Sequence, residues 1–436
     1  MAQIYPFQGF LYNQAVAGDP KNVVAQPYDK TSPAMQDEYY ARSPYNVVRV
    51  TLNKEKREDA GTSYPDAGAT FRKWIAEGVL AQESRPAVFP YYQEYAVDGE
   101  KRLQRGFIAL LDLEDPGSAV IPHENTLAAP KQDRLQLLRS VEGNEDLIYM
   151  LYSDEALAID KLMDRHVASK PPAVEVTDEF GATHRVWALS DPAALEEMQA
   201  AMKARDLFIA DGHHRFETAV NFMRECRAKG WAPGGAESFN RRMVTCFNIA
   251  AGVTILATHR LLRDLAGFDA AAFLGKAGER FAVESAATAE ELWRKMAEGR
   301  DGHVFGFYAG NGGDGGGFHL LRLKPEALGD AALQGHSGPW RELDVSILHT
   351  LLLGRLLGID ERKLAEQSNI DYARSREACV ERVDAGKYQA AFFLNPTTSQ
   401  QLQRVSLAGE RMPQKSTDFF PKLLTGLVFM QMKIKK

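Results

Sequence analysis

The stretch LFIADGHHRFETAVNF, residues 207–222, decides how this chain is read. Its first four residues are apolar and suit a short buried strand. A helical run follows that should extend to about Lys229, where the sequence KGWAPGGAES breaks it. Asp211, Gly212, His213, His214 and Arg215 stand at the junction. The first turn of a helix exposes unpaired backbone N–H groups and the positive end of the helix dipole, which together favour a bound anion. Gly212 lets backbone approach a ligand closely, and Arg215 offers a planar fork matched to phosphate oxygens. Neighbouring histidines on a helix point about 100° apart, so a single metal ion would rarely take both. The plainer alternative is a capped helix, with Asp211 as N-cap and the histidines as partly buried polar surface.

Outward from this junction, VIPHENTLAAPKQDR places His123, Glu124, Asn125 and Thr126 in a loop after a strand that ends at Pro122. A carboxylate on such a loop can act as a general base, and Lys131 with Arg134 can hold phosphate or carboxylate. The plain reading makes Glu124 a surface residue and Asp133–Arg134 a solvated helix start. Near the end, RMPQKSTDFFPKLLTGL groups Lys415, Ser416, Thr417 and Lys422 around a proline-limited turn, with Asn395-Pro396-Thr397 upstream at a strand end. Lysines beside hydroxyls suit phosphate, while an ordinary capped helix starting near Pro421 reads the same residues structurally. Thr258-His259-Arg260, after a strand, is an isolated signal of the same kind.

The remaining pattern is mixed. PYNVVRVTLN has strand character, and GATFRKWIAEGVL is helical to about Gly78. Asp98-Gly99 marks a hairpin between two long strands. A helix is expected from about Lys131 to Val141 and a strand over Leu147 to Tyr152, with further helices at DEALAIDKLMDRHVA, DPAALEEMQAAMKA and TAEELWRKMAEG. The glycine cluster at residues 310–317 reads as a hairpin tip and lacks the GxxxxGK[ST] pattern of a P-loop.

At 436 residues the chain is long enough for two or more domains. Its 45% apolar and 25% charged content excludes a disordered or collagenous class. A net charge of -6 gives no overall basic field for nucleic acid. The three cysteines, Cys226, Cys246 and Cys379, lack CxxC spacing, so neither a disulfide framework nor a cysteine zinc site is indicated. The N-terminus lacks a charged n-region followed by an apolar h-region, and no run of eighteen apolar residues occurs. The expectation is a cytoplasmic protein without membrane or nucleic-acid partners.

Together, the early QPYD, IPHENT with its following Lys131 and Asp133-Arg134, IADGHHRFETA, THR, FLNPT and MPQKSTDFFPKLLTGL resemble, in order and spacing, domain of unknown function 1015. The resemblance runs from about Pro27 to Gly426. Within that family, the strand-DGHHR-helix unit is similar to the phosphate-binding turn of the ParB and sulfiredoxin superfamily. There, a Gly-x-His-Arg turn at a helix N-terminus holds nucleotide phosphates. VIPHEN is similar to the superfamily's strand-Pro-loop element, on which free serine kinases carry an acidic residue implied to deprotonate the serine hydroxyl. Some relatives are similar to pyrophosphate-dependent serine kinases.

The resemblance implies an α+β fold with three parts: an N-terminal segment over 1–104, a ParB/sulfiredoxin-like core over 105–262, and a C-terminal α+β domain over 263–436 closing the cleft. It implies a free L-serine kinase that makes O-phosphoserine with pyrophosphate or a nucleotide as donor. Glu124 is the implied base, with His213 and His214 as further catalytic groups. Gly212, His213, His214, Arg215, Lys131, Arg134, Lys415, Ser416 and Thr417 are implied for phosphate, and His123, Thr126, Asn395 and Lys422 for substrate. Magnesium is expected with a multiply charged donor, Asp211 being its ligand or only the helix cap. Many family members read HEHT or HExT where this chain has His123-Glu124-Asn125-Thr126, so one imidazole is replaced by Asn125. Sulfiredoxin activity is not implied, because His213 stands where that turn requires cysteine. The competing readings are a phosphatase or kinase of another small hydroxyl metabolite, and a ParB-like nucleotide-switch binding protein. The latter would call for a basic surface and a reading helix.

Overall fold

The computed structural model describes residues 3–54, 64–113, 120–124, 128–203, 205–310, 312 and 315–436, with the side chains of 65 and 128–131 left out. The chain divides into two compact units: unit 1 spans 1–122, 126–253 and 421–436, and unit 2 spans 123–125 and 254–420.

Unit 1 is built on a nine-stranded sheet. Its strands are β1 (Ile4–Tyr5), β2 (Phe89–Val97), β3 (Glu100–Asp112), β4 (Val120–Pro122), β5 (Ile148–Tyr152), β6 (Val174–Thr177), β7 (Thr183–Val186), β8 (Leu207–Asp211) and β9 (Arg241–Asn248). The order is β4-β8-β5-β9-β3-β2-β7-β6, with β1 also on β3. The sheet is mixed: β4 runs parallel to β8 and β9 parallel to β5, and the other pairs are antiparallel. β2 and β3 form the expected hairpin, whose turn residues Asp98 and Gly99 both take positive φ, as the turn between right-twisted strands requires. All five residues of β5 are buried, which marks a central strand covered on both faces.

β4 and β8 position the residues of interest. They end side by side, Pro122 opposite Ile209, and the chain continues from one into His123-Glu124 and from the other into Asp211-Gly212. Against β5, the register of β8 shifts between Ile209 and Asp211. Such a bulge re-aims the next side chain, here that of Asp211. Helix α1 (Ala128–Val141) packs on α2 (His213–Ala228), which buries Phe216, Ala219, Val220, Phe222, Met223 and Cys226. Each large apolar side chain withdrawn from water there contributes about 1.5–3 kcal/mol.

Two expectations for unit 1 are corrected. The segment PYNVVRVTLN does not form a strand, because Val48–Thr51 is a short helix. Asn46 Oδ1 accepts the Val48 N–H, and Val47, Val48 and Val50 are buried in a core with Tyr39, Phe71 and Trp74, so packing overrides their β-preference. No helix starts near Pro421. Residues 421–429 instead run in irregular and bridging backbone, Thr425 exchanging bonds with Ala25 and Phe429 with Phe10. Leu423, Leu424, Leu427 and Val428 are buried along it. Cross-chain partners replace the helical ladder.

Unit 2 carries a six-stranded sheet, antiparallel throughout: β10 (His259–Leu262), β11 (Phe281–Ala286), β12 (Val304–Tyr308), β13 (Phe318–Leu323), β14 (Ile370–Ala373) and β15 (Ala390–Phe393). The order is β11-β13-β12-β15-β10-β14. The glycine cluster lies between β12 and β13, as expected of a hairpin, although residues 311, 313 and 314 fall outside the described residues. One face packs against a π-helical segment, Leu348–Gly354, whose Leu348, Leu351, Leu352 and Leu353 join the core. The whole is therefore a mixed α/β protein with one large mixed sheet and one antiparallel sheet. Among the described residues no helix is long and apolar enough to cross a membrane.

Candidate functional site

The junction in unit 1 folds as a turn with a left-handed residue. Gly212 is the N-cap of α2 at φ 95°, and no side chain caps the helix. Asp211 is therefore not the cap. Its carboxylate turns elsewhere: Oδ2 accepts from Lys422 Nζ at 2.9 Å, and Oδ1 lies 3.5 Å from Arg215 Nη2. A Cβ at Gly212 would sit 3.0 Å from Arg215 Nε and 3.1 Å from Nη2, so glycine is what lets the guanidinium lie against the turn. Arg215 Nη1 donates to the Leu147 carbonyl at 2.6 Å and lies 3.9 Å from Asp146 Oδ2. Asp146 also accepts from Arg242 Nη2.

These charges set one another's protonation. Burial pushes the Asp211 pKa up, but Lys422 and Arg215 outweigh it and hold the carboxyl far below the usual carboxylate range. For Arg215, burial works against the charge, and Asp146 and Asp211 more than offset it, so its pKa is raised. Beside them, burial and then Asp146 push Glu145 up to about 7. His213 is buried and His214 half-buried at the start of α2.

Arg134 belongs to the same unit, with every nitrogen engaged. Nε donates to Asp133 Oδ2 at 2.9 Å, Nη1 to the Thr51 carbonyl at 2.9 Å and Nη2 to the Tyr64 hydroxyl at 2.8 Å. Its Cζ lies 4.1 Å from the Tyr28 ring centroid. The backbone of Lys131 lies in α1, which begins at Ala128, three residues earlier than the sequence pattern places it; the Lys131 side chain and Thr126 fall outside what is described.

Unit 2 brings together His123, Glu124, Lys415, Ser416 and Thr417. Glu124 forms a parallel bridge with Met412, which draws the two segments alongside one another. His123 is fully buried, with Nε2 2.9 Å from Thr417 Oγ1. Glu124 Oε1 accepts the Lys415 N–H at 3.3 Å, while Oε2 lies 4.0 Å from His123 Nε2. Lys415 sits at φ 58°, unusual for a residue with a Cβ. Ser416 Oγ donates to the Pro413 carbonyl, and the Ser416 carbonyl accepts from Thr397 Oγ1 at 2.8 Å. Asn395 is spent differently, its amide donating to the Met296 carbonyl at 3.1 Å.

Sequence reading missed Glu145, Asp146 and Arg242, which flank the unit 1 turn, and His349, which meets Arg260 in unit 2. None of them stands within a motif, and the partners of Asp146, Arg242 and His349 are remote in sequence. Among the described residues no group of three or more His, Cys, Asp or Glu could hold a metal ion.

Fold and site define a two-unit mixed α/β protein with a charged strand-to-helix turn in one unit and a carboxylate–imidazole–hydroxyl cluster in the other. The chain belongs to the family described as protein of unknown function DUF1015, whose model matches residues 4–346. No curated protein matches the sequence. Among solved structures, the chain is similar to a free serine kinase in complex with AMP, at 11% identity and a TM-score of 0.37, covering 75% of this chain and 91% of that one. It is also similar to a conserved hypothetical protein from Pyrococcus furiosus, at 12% identity and a TM-score of 0.34, covering 72% of this chain and 92% of that one. A third is SbnI with a C-terminal truncation from Staphylococcus aureus, at 10% identity and a TM-score of 0.34, covering 73% and 85%.

Proposed function

We propose that this protein is a small-molecule phosphotransferase that phosphorylates the hydroxyl of free L-serine, with pyrophosphate or a nucleotide as donor. The observation that carries the reading is the turn at Asp211–Arg215. A left-handed Gly212 opens α2 against a buried Arg215, and Lys422 stands beside it, so helix N–H groups, a guanidinium and an ammonium converge on one place. Such an array suits the charge of a transferring phosphoryl group, where positioning and electrostatics supply most of the rate. The motif resemblance to ParB/sulfiredoxin-like phosphate turns supports the same reading, with residues of about 105–262 as that core.

In this reading Gly212, His213, His214 and Arg215 bind the donor's phosphates, with Lys131 as a further cation. Glu124 takes the proton of the serine hydroxyl as its oxygen attacks phosphorus in line and the bond to the leaving phosphate or nucleotide breaks. The Lys415 N–H bond to Oε1 orients the Glu124 carboxylate. His123, Thr417 and Lys422 belong to substrate positioning. Magnesium would arrive on the donor's oxygens and neutralise charge there. Asp211 does not fit as its ligand, since its two oxygens face Lys422 and Arg215.

The test is to incubate purified protein with magnesium and L-serine, offering pyrophosphate, ATP or ADP in parallel, and to assay O-phosphoserine by mass spectrometry. Product is expected with one donor. Its absence with all three would overturn serine phosphorylation.

A further inference from the structure

Among the described residues Arg260 is the largest fully buried side chain, 1% exposed, and no carboxylate hydrogen-bonds or ion-pairs with it. Its Nη1 donates to the Thr258 carbonyl, and its Nη2 donates to the Lys415 carbonyl at 3.0 Å and to His349 Nε2 at 3.2 Å. Nε has no partner. A buried guanidinium whose hydrogen-bond acceptors are all neutral is costly, because no bonded counter-charge repays its lost hydration. Burial lowers the Arg260 pKa to about 10 despite the opposing pull of Tyr372 and Glu124.

Two independent features surround this residue. His349 lies on the seven-residue π-helix, a distortion that recurs at functional sites. Its Nε2 accepts from Arg260, which requires a neutral ring protonated at Nδ1, so it contributes no counter-charge. Lys415 is the second feature. Its carbonyl takes Arg260 Nη2 and its N–H takes Glu124 Oε1, so one residue in a left-handed conformation occupies both the guanidinium and the carboxylate. Backbone strain of this kind persists only where the surroundings hold it in place.

We propose that Arg260 is the receptor for a carboxylate carried by the hydroxyl acceptor, with the Lys415 carbonyl as its resting partner. The inference rests on the proposed function for the acceptor's role in phosphoryl transfer, and on Arg260 alone for the receptor. The edge formed by Nε and Nη2 presents two parallel N–H bonds, the geometry that clamps a carboxylate, and its Nε is open. A carboxylate displaces one neutral carbonyl and supplies a hydrogen-bonded counter-charge. Glu124, whose charge acts on the same guanidinium, repels a polyanionic phosphate more strongly than a singly charged carboxylate. An acceptor without a carboxylate leaves Arg260 uncompensated and is rejected for that reason.

The experiment uses the full-length protein labelled with nitrogen-15, the Arg260 Nε–H resonance being assigned by its loss in Arg260→Lys. Acetate is expected to move this resonance saturably, and inorganic phosphate at equal concentration to leave it in place. No movement with acetate, or movement with phosphate alone, overturns the receptor. Kinetically, Arg260→Lys should raise the KM for L-serine about a hundredfold with a much smaller change in kcat, while serinamide is poor with both proteins; equal losses for serine and serinamide would also overturn it. If no donor yields O-phosphoserine but acetate still moves the resonance, the serine kinase reading falls and the carboxylate receptor stands.

Discussion

In unit 1, Arg215 is 7% exposed and Arg242 4%, and acidic partners stand beside both: Asp211 and Asp146 flank the first, and Asp146 holds the second. In unit 2, Arg260 is buried more deeply than either and meets two carbonyls, a neutral imidazole and a tyrosine ring. The first arrangement satisfies its charges within the protein. The second leaves a charge for something else to satisfy. Matched clusters of this kind hold a turn in shape, and removing one partner exposes the other's desolvation cost. A buried cation bonded only to neutral groups costs stability, and the role proposed for Arg260 is the carboxylate it would receive.

The largest expected effect comes from removing the carboxylate of unit 2. Glu124→Gln should lower O-phosphoserine formation by about 10²–10⁴, the range for loss of a general base, with the thermal unfolding transition little changed. Near-normal turnover would take Glu124 out of the chemistry. The matched cluster should respond in the opposite way, through stability. Asp211→Asn leaves Lys422 and Arg215 without their shared carboxylate and should cost about 3 kcal/mol in urea unfolding. A loss within experimental error would mean that these cations are adequately solvated, and the contrast between the two clusters would fail.

How much of this was legible in sequence depended on how local each signal was. The strand-to-helix junction at 207–222, the Asp98-Gly99 hairpin and the helix ending near Gly78 rest on neighbours in the chain, and the structure has each of them. The fate of Asp211 was not legible, because Lys422 lies 211 residues away. Without that partner, a carboxylate before a helix reads as a cap, although the left-handed Gly212 occupies the capping position. Val48–Thr51 and the segment after Pro421 failed for a related reason: burial against distant residues overrode the local pattern. Arg260 stood in a recognisable triplet, yet the role proposed for it rests on His349 and Lys415, 89 and 155 residues away, which no local pattern records.

The matched cluster can also be sharpened by pH. The folded pKa of Glu145, raised to about 7 by burial and then Asp146, exceeds that of the unfolded chain, so the protonated form is the one that favours folding. Its contribution is fully present below the unfolded carboxylate range and is lost as pH rises through about 7. Urea midpoints should therefore fall between about pH 4.5 and pH 7.5, and Glu145→Gln should flatten that decline. An unchanged slope in the variant would assign the decline to another group.

The smallest effect separates two reasons for keeping glycine in a left-handed turn. Gly99, at φ 79°, has nothing within 4 Å of where a Cβ would stand, so Gly99→Ala should cost only the backbone strain, about 1–2 kcal/mol. Gly212, at φ 95°, carries the same strain, and its Cβ would press on the Arg215 guanidinium at 3.0–3.2 Å. That guanidinium cannot swing away cheaply, since Leu147, Asp211 and Asp146 hold it from separate directions. Gly212→Ala should therefore cost more than Gly99→Ala, by about 1 kcal/mol of overpacking, and should weaken pyrophosphate binding, which Gly99→Ala leaves unchanged. Equal costs would show that Arg215 yields easily, and the turn would then be held by its backbone and not by the charges packed against it.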